Sequence, residues 1–239
     1  MRILLILPAF NEQESILKTV EMIRAASFPD GMQVDHLVID DGSTDLTAQL
    51  CREHGVPCVS LVRNLGIGGA VQTGYLYAME HGYDAAVQFD GDGQHDIASL
   101  PALLQPIADE TQDFVVGSRF VAPGAGYRST PLRRIGIRLL SLLTLCVTGR
   151  RIWDVTSGDR AANRRTLCYL AENYPADYPE PESLVHLLRH GARVAEVPVN
   201  MFARSGGSSS IGSLRSGYYM LKVSLAILCA GLQRKEGQL

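Results

Sequence analysis

Two aspartates separated by one glycine, Asp90-Gly91-Asp92, follow directly on an apolar run at 85–89. Carboxylates two positions apart, just past a buried strand, are able to face one pocket. The glycines of Gly91 and Gly93 let the backbone turn sharply there. A carboxylate pair with few other protein ligands suits Mg2+ or Mn2+, whose octahedron is completed by water and substrate phosphates. Gln94 adds a carbonyl oxygen to the set. The same residues also suit a plain polar turn held by aspartate side chains. A second polar cluster, Asp40-Asp41-Gly42-Ser43-Thr44, offers an acid to the N–H groups of a nucleobase or to a ribose hydroxyl; it suits equally a turn and the N-cap of the next helix. A third, Pro8-Ala9-Phe10-Asn11-Glu12, has an aromatic ring to stack on a base and a carboxylate to bond it, while Asn11 is also fit to cap the helix that follows.

These clusters lie at the ends of strand-like runs. Residues 3–7 form a continuous apolar run, as in a strand buried on both faces, and Pro8 ends it. Apolar residues at Ile16, Leu17, Val20 and Ile23 give 14–25 a helical spacing. Strands are predicted at 36–39, 59–62, 85–89 and 114–117, and helices at 47–54, 70–81 (closed by Gly82) and 97–108. This alternation predicts a mostly parallel sheet flanked by helices, in which ligands sit beyond the carboxyl ends of the strands. Beyond Arg119 the pattern reads as a basic amphipathic helix at 131–149, a polar loop at 153–165, a helix at 180–190, a strand at 193–199, a Gly/Ser-rich loop at 205–210 and an amphipathic helix at 214–232. No internal repeat or long linker divides the chain, so residues 1–210 are expected to form one catalytic domain and 211–239 a helical appendage.

Composition supports a buried core, with 46% apolar residues over 239 positions. The net charge of −3 hides an asymmetry: nine arginines and only Asp154 and Asp159 as acids lie between 128 and 165. Arginine binds phosphate through a planar fork of donors where lysine offers a point charge. Either a solvated basic face or a surface for phosphate or anionic lipid follows. The five cysteines show no metal spacing and read as buried thiols of a reducing cytosol. The apolar run near Met1 is too short for a signal peptide and is better a first core strand. No segment reaches the ~20 apolar residues that span a bilayer; 139–147 and 218–232 come part of the way, as core helices or as helices lying in a membrane interface.

Taken together, the Pro-Ala-Phe-Asn-Glu, Asp-Asp-Gly-Ser-Thr and Asp-Gly-Asp-Gly-Gln-His runs resemble glycosyltransferase family 2 with its GT-A fold. Residues 63–70, Gly117-Ser118-Arg119, Asp154-Val155-Thr156-Ser157-Gly158, Pro179-Glu180-Pro181-Glu182 and 204–209 narrow the resemblance to the dolichol-phosphate mannosyltransferase-like, polyprenyl-phosphate branch. The resemblance implies that Asp90, Asp92 and Gln94 hold the metal and the nucleotide diphosphate. It puts Pro8, Phe10, Glu12 and Asp41 at the nucleoside and Arg204 over the diphosphate. Arg119, with Arg133 or Arg134, is placed at a lipid phosphate. Where the family commonly carries an aromatic after Thr-Ser-Gly this chain has Asp159, and it lacks the C-terminal transmembrane helices of many members.

The implied reaction is transfer of a sugar from a UDP- or GDP-linked donor to a polyprenyl phosphate. A divalent ion stabilises the leaving diphosphate as a Lewis acid. An alcohol acceptor needs a general base, whereas a phosphate ester, with a second pKa near ~6, needs orientation more than deprotonation. The arginine-rich acceptor side fits the phosphate. In-line attack inverts the anomeric centre. The alternative is transfer to a glycan hydroxyl, with Asp159 or Glu182 as base. A nucleotidyltransferase lacks its N-terminal phosphate loop here, G-x-G-x-x-G fails because Val71 follows Gly66 and Gly68, and an inactive binding subunit has no use for the Asp90/Asp92 pair. The expected setting is the inner face of the cell membrane, reached peripherally through the 128–165 segment and the last helix or through a small membrane-protein partner. That helix is otherwise a core or homo-oligomer contact. No nucleic-acid partner is expected.

Overall fold

The computed structural model describes residues 1–90, 96–121, 131–200 and 213–233, with the side chains of 131–132 and 213–217 outside that description. The chain runs β1 (Arg2–Ala9), α1 (Ile16–Ala25), β2 (Gln33–Asp40), α2 (Thr47–Glu53), β3 (Cys58–Ser60), α3 (Gly66–Glu80), β4 (Ala85–Gln88), a 3-10 turn (Ile97–Ser99), α4 (Leu100–Ala108) and β5 (Phe114–Ser118). It continues through α5 (Pro131–Thr148), β6 (Arg160–Asn163), α6 (Arg164–Asn173), α7 (Pro179–Arg189), β7 (Val194–Pro198) and α8 (Ser213–Leu232). The strands form one sheet in the order β3-β2-β1-β4-β6-β5-β7, parallel except for β6, which runs antiparallel to both β4 and β5.

The sheet divides two apolar cores. Leu4, Ile6, Val71, Tyr75, Phe114, Leu140, Leu184, Val223 and Ile227 belong to one, beneath α3 and α5 to α8. Ile3, Leu5, Leu7, Ile16, Val20, Leu103 and Val115 belong to the other, beneath α1, α2 and α4. β1 is buried along nearly its whole length, which explains why its sequence is a continuous apolar run and not an alternating one.

Pro8 does not end β1, which continues through Ala9. Ile6 accepts from the Phe89 N–H on the β4 side and Ala9 from the Asp41 N–H on the β2 side. Alternation therefore aims the missing donor of Pro8 toward β4, where the ladder has already ended at the Ile6 and Gln88 pair. The expected polar loop at 153–165 contains β6 and the start of α6. A strand of Arg160, Ala161, Ala162 and Asn163 has little strand propensity; burial and pairing on both sides impose it. Asn163 then caps α6 by accepting from the Thr166 N–H at 3.0 Å. β3 stops at Ser60, and Val62, read as strand, is fully exposed.

α5 and α8 pack side by side on the first core. A side chain at Gly136 would meet the Met220 sulfur, and one at Gly231 would meet Val147. Because 136 faces 220 and 147 faces 231, the two helices run parallel. The boundary expected between 210 and 211 falls outside the described residues. Among the described residues no helix is long and apolar enough to cross a membrane. The thiols are not uniformly buried: Cys51 is, but Cys146 and Cys229 are exposed.

Candidate active site

The polar clusters converge at the carboxyl ends of β1, β2, β4 and β5. The first two are laced together. Asn11 lies in the left-handed region at φ 56. Its N–H donates to the Ser43 hydroxyl at 3.0 Å, and its amide oxygen accepts from the Thr44 N–H at 2.8 Å. Asn11 therefore braces the β2 loop and does not cap α1. The Glu12 N–H donates to the Thr47 hydroxyl at 2.9 Å, and the Glu12 carboxylate accepts from Ser15 at 2.6 Å. Pro8 is buried within the strand, while Phe10 stands 46% exposed at the mouth of this corner, as a stacking platform must.

Asp41 has a duty the sequence reading did not assign. Its buried carboxylate accepts from the N–H groups of Leu65 at 2.7 Å and Gly66 at 2.9 Å. These are orphan donors at the start of α3, and a carboxylate there also meets the positive end of the helix dipole. Burial pushes the Asp41 carboxyl up, against the pull of those two N–H groups. The anchor also explains why α3 begins at Gly66 and not near Ala70. Gly42 sits at φ +70, where any Cβ would lie 2.8 Å from the Arg63 backbone, so the Asp-Asp-Gly order is required by a close passage of two loops.

Asp90 follows β4, half-buried, against Gly158 of the 154–158 loop. A Cβ on Gly158 would stand 2.8 Å from Asp90 Oδ2. Beneath them lies a buried polar floor. Gln88 accepts from the Tyr174 hydroxyl at 3.1 Å. The fully buried Arg160 donates to the carbonyls of Ser157 at 2.7 Å, Val155 at 2.9 Å and Glu180 at 2.6 Å. One guanidinium thus ties the loop beside Asp90 to the start of α7. Burial raises the Glu180 carboxyl, with Arg160 opposing that shift and Asp90 adding to it. Asp159 is fully buried beside Gly117. Glu182, the other candidate base, lies 3.8 Å from His186 on α7.

Arg119 is buried, and its fork is engaged by a carboxylate. Nε donates to Asp154 Oδ2 at 2.7 Å, Nη2 to Asp154 Oδ1 at 2.6 Å and also to Thr156 at 3.0 Å. Arg119, placed at a lipid phosphate by the family resemblance, has its fork joined to the Asp-Val-Thr-Ser-Gly loop, a pairing that separation along the chain concealed. Arg133 and Arg134 are exposed on the first turn of α5, and Arg133 lies close enough to Tyr219 of α8 to oppose the upward push that burial gives its hydroxyl, to about 12. Asp92, Gln94 and Arg204 lie outside the described residues.

Asp90 supplies a carboxylate oxygen at a strand end, and the missing Cβ of Gly158 leaves room beside it; a hard divalent ion such as Mg2+ or Mn2+ takes oxygen donors of this kind. Arg160, Gln88, Tyr174 and Glu180 were not singled out as site residues from the sequence. Glu180 had the Pro-Glu-Pro-Glu run as a signal; Arg160 was counted in the basic 128–165 segment, but its full burial on three carbonyls removes it from any phosphate or solvated face, and Gln88 and Tyr174 carried no signal.

A mostly parallel sheet with acidic residues beyond the carboxyl ends of its strands is the frame of a GT-A glycosyltransferase. The chain belongs to glycosyl transferase family 2, whose model matches residues 4–168. It is 31% identical over 217 residues to the UDP-N-acetylglucosamine--dolichyl-phosphate N-acetylglucosaminyltransferase of Methanococcus voltae, covering 82% of this chain and 84% of that one. It is 32% identical over 250 residues to the undecaprenyl-phosphate mannosyltransferase of Micrococcus luteus, covering 99% of this chain and 100% of that one. Glucosyl-3-phosphoglycerate synthase of Mycobacterium tuberculosis, in complex with Mn2+, UDP and glucosyl-3-phosphoglycerate, shares the fold with a TM-score of 0.71 at 24% identity, over 96% of this chain and 79% of that one.

Proposed function

We propose that this glycosyltransferase moves a sugar from a nucleotide sugar to a polyprenyl phosphate, with inversion, at a membrane surface. The observation that carries the reading is the loop of residues 154–158. It lies against Asp90 on the donor side and bonds Arg119 on the acceptor side. One segment, fastened below by Arg160, therefore sets the distance between the two substrates. Two relatives named above act, by their names, on dolichyl and undecaprenyl phosphates.

Phe10 and Glu12 hold the nucleoside, with Asp41 keeping their corner in shape. Asp90, Asp92 and Gln94 hold Mg2+ or Mn2+, which when bound offsets the charge developing on the departing diphosphate. Arg204 covers that diphosphate. Arg119, its guanidinium oriented by Asp154, and Arg133 or Arg134 orient an acceptor phosphate whose oxygen attacks in line. Such a nucleophile is already ionised near neutrality, so the site works without a general base.

The acceptor tail requires a bilayer nearby. α5 and α8 contain no acidic residue, and Ile135, Leu139, Leu142, Leu221, Leu225 and Leu232 on them are exposed. Exposed leucines bordered by Arg133, Arg134, Arg138 and Lys222 make a face fit for an anionic interface. Incubation with labelled UDP- and GDP-sugars and a polyprenyl phosphate tests the reading. Label in an acid-labile lipid fraction is expected; label only in acid-stable glycan overturns it in favour of a hydroxyl acceptor.

A further inference from the structure

Glu196 interrupts an apolar strand. In β7 it lies two positions from Val194, so alternation puts it on the same, core-facing side of the sheet. A carboxylate there needs compensation. It finds it in two consecutive backbone donors of the loop that crosses above: Trp153 N–H to Oε2 and Asp154 N–H to Oε1, each at 2.8 Å. Burial still pushes its carboxyl up. The next link begins at the same residue. Asp154, fully buried, accepts the Arg119 backbone N–H at 3.0 Å as well as the two guanidinium bonds.

We infer that Glu196 is a positioning residue for the acceptor phosphate, fixing the Arg119 guanidinium through the backbone at Trp153 and Asp154. This rests on the proposed acceptor role of Arg119. The chain of bonds is continuous from Glu196 to the guanidinium. Glu196 fixes where the 153–154 backbone lies, that backbone fixes the Asp154 carboxylate, and the carboxylate fixes the plane of the fork. Glutamine at 196 keeps one acceptor oxygen but turns an NH2 group toward the other N–H, donor against donor. The loop must then shift, and displacements of about 1 Å are enough to cost ~100-fold in a positioned step. The nucleoside corner at Phe10, Glu12 and Asp41 shares none of these bonds, so nucleoside recognition is expected to change far less than acceptor-phosphate binding.

Trp153 is the only tryptophan. Its ring is half-exposed and lies 4.1 Å from the Arg151 guanidinium, so its fluorescence reports directly on this loop. The test is a double-mutant cycle of Arg119→Lys and Glu196→Gln. It is read by titrating farnesyl phosphate against Trp153 fluorescence, with farnesol as the phosphate-free control and calorimetric UDP and GDP binding in parallel. Each single variant is expected to weaken farnesyl phosphate binding by roughly tenfold or more while leaving nucleotide affinity within about twofold. The double variant is expected to bind no more weakly than the worse single one, since both changes act on one linkage. Effects that multiply, or a Glu196→Gln variant that binds like wild type while Arg119→Lys is impaired, overturn the role of Glu196 alone. An Arg119→Lys variant with wild-type affinity overturns the acceptor reading of Arg119 and this inference with it. If Glu196→Gln does not fold, Glu196→Asp, which keeps the charge and draws it back by one methylene, enters the cycle with the same expectations.

Discussion

Asp90 and Gly158 meet closely although one is a carboxylate and the other has no side chain. Asp90→Asn keeps the shape and removes the charge a divalent ion needs. Turnover at saturating Mn2+ is expected to fall by roughly 100-fold, as for other losses at metal sites, with thermal stability near wild type. Unchanged turnover in that variant would remove Asp90 from the metal site. Gly158→Ala asks the same question from the opposite wall. Its methyl would stand 2.8 Å from Asp90 Oδ2, so the Mn2+ concentration for half-maximal activity should rise several-fold. An unshifted metal titration would mean that Asp90 has room to move away. At this scale the sequence was informative about type and silent about partners. Asp90, Arg119 and Asp41 stood out by motif, but that Arg119 bonds Asp154 and that Asp41 anchors α3 depend on loops that meet only in the folded chain.

The elements show why some of the fold was legible and some was not. β1 is buried on both faces, so a continuous apolar run revealed it, while β4 and β5 were legible as short, mainly apolar stretches between helical segments. β6 was hidden because its four residues include a fully buried arginine and an asparagine cap; neighbouring strands and buried carbonyls make it a strand. α3 began earlier than expected because its glycines serve packing. A Cβ at Gly68 would come within 2.3 Å of the Ala176 carbonyl oxygen. Gly68→Ala should therefore destabilise the fold by about 1–3 kcal/mol despite the better helix propensity of alanine; a raised Tm would show that the 175–176 turn yields freely. The start of β5 is held by charge. Asp113 accepts from the Arg193 backbone and guanidinium and from Asn163. With the Arg193 bonds foremost, its carboxyl falls from 3.8 to about 2. A depressed folded pKa gives stability that is full above the unfolded value and is lost as pH falls from about 4 to about 2. Asp113→Asn should lose at most roughly 2 kcal/mol at neutral pH, since solvent around the exposed Arg193 side chain screens the pair, and its unfolding should lose the wild-type acid dependence across that window. Parallel pH profiles for the two proteins would contradict this.

For the molecule as a whole, the proposed function asks the donor corner and the acid-free α5–α8 face to serve one reaction. The exposed leucines are expected to give a salt-resistant share of binding to anionic vesicles. The arginines should give a share that fades with salt, at about 1 kcal/mol each near the surface. Removing α8 is not a clean test, because Val223, Ile227 and Ala230 are buried in the main core. Leu221→Glu with Leu225→Glu changes only exposed positions. Co-sedimentation across a salt series should show the salt-resistant share gone while nucleotide binding persists; unchanged sedimentation would move the membrane contact elsewhere. The central claim is sharper still and concerns one bond. It is tested by recovering the product formed from an α-linked nucleotide sugar and a polyprenyl phosphate, then reading its phosphorus and anomeric proton resonances. A phosphodiester carrying a β-linked sugar is the expected product; an unaltered phosphomonoester, or a sugar still α-linked, would contradict the account.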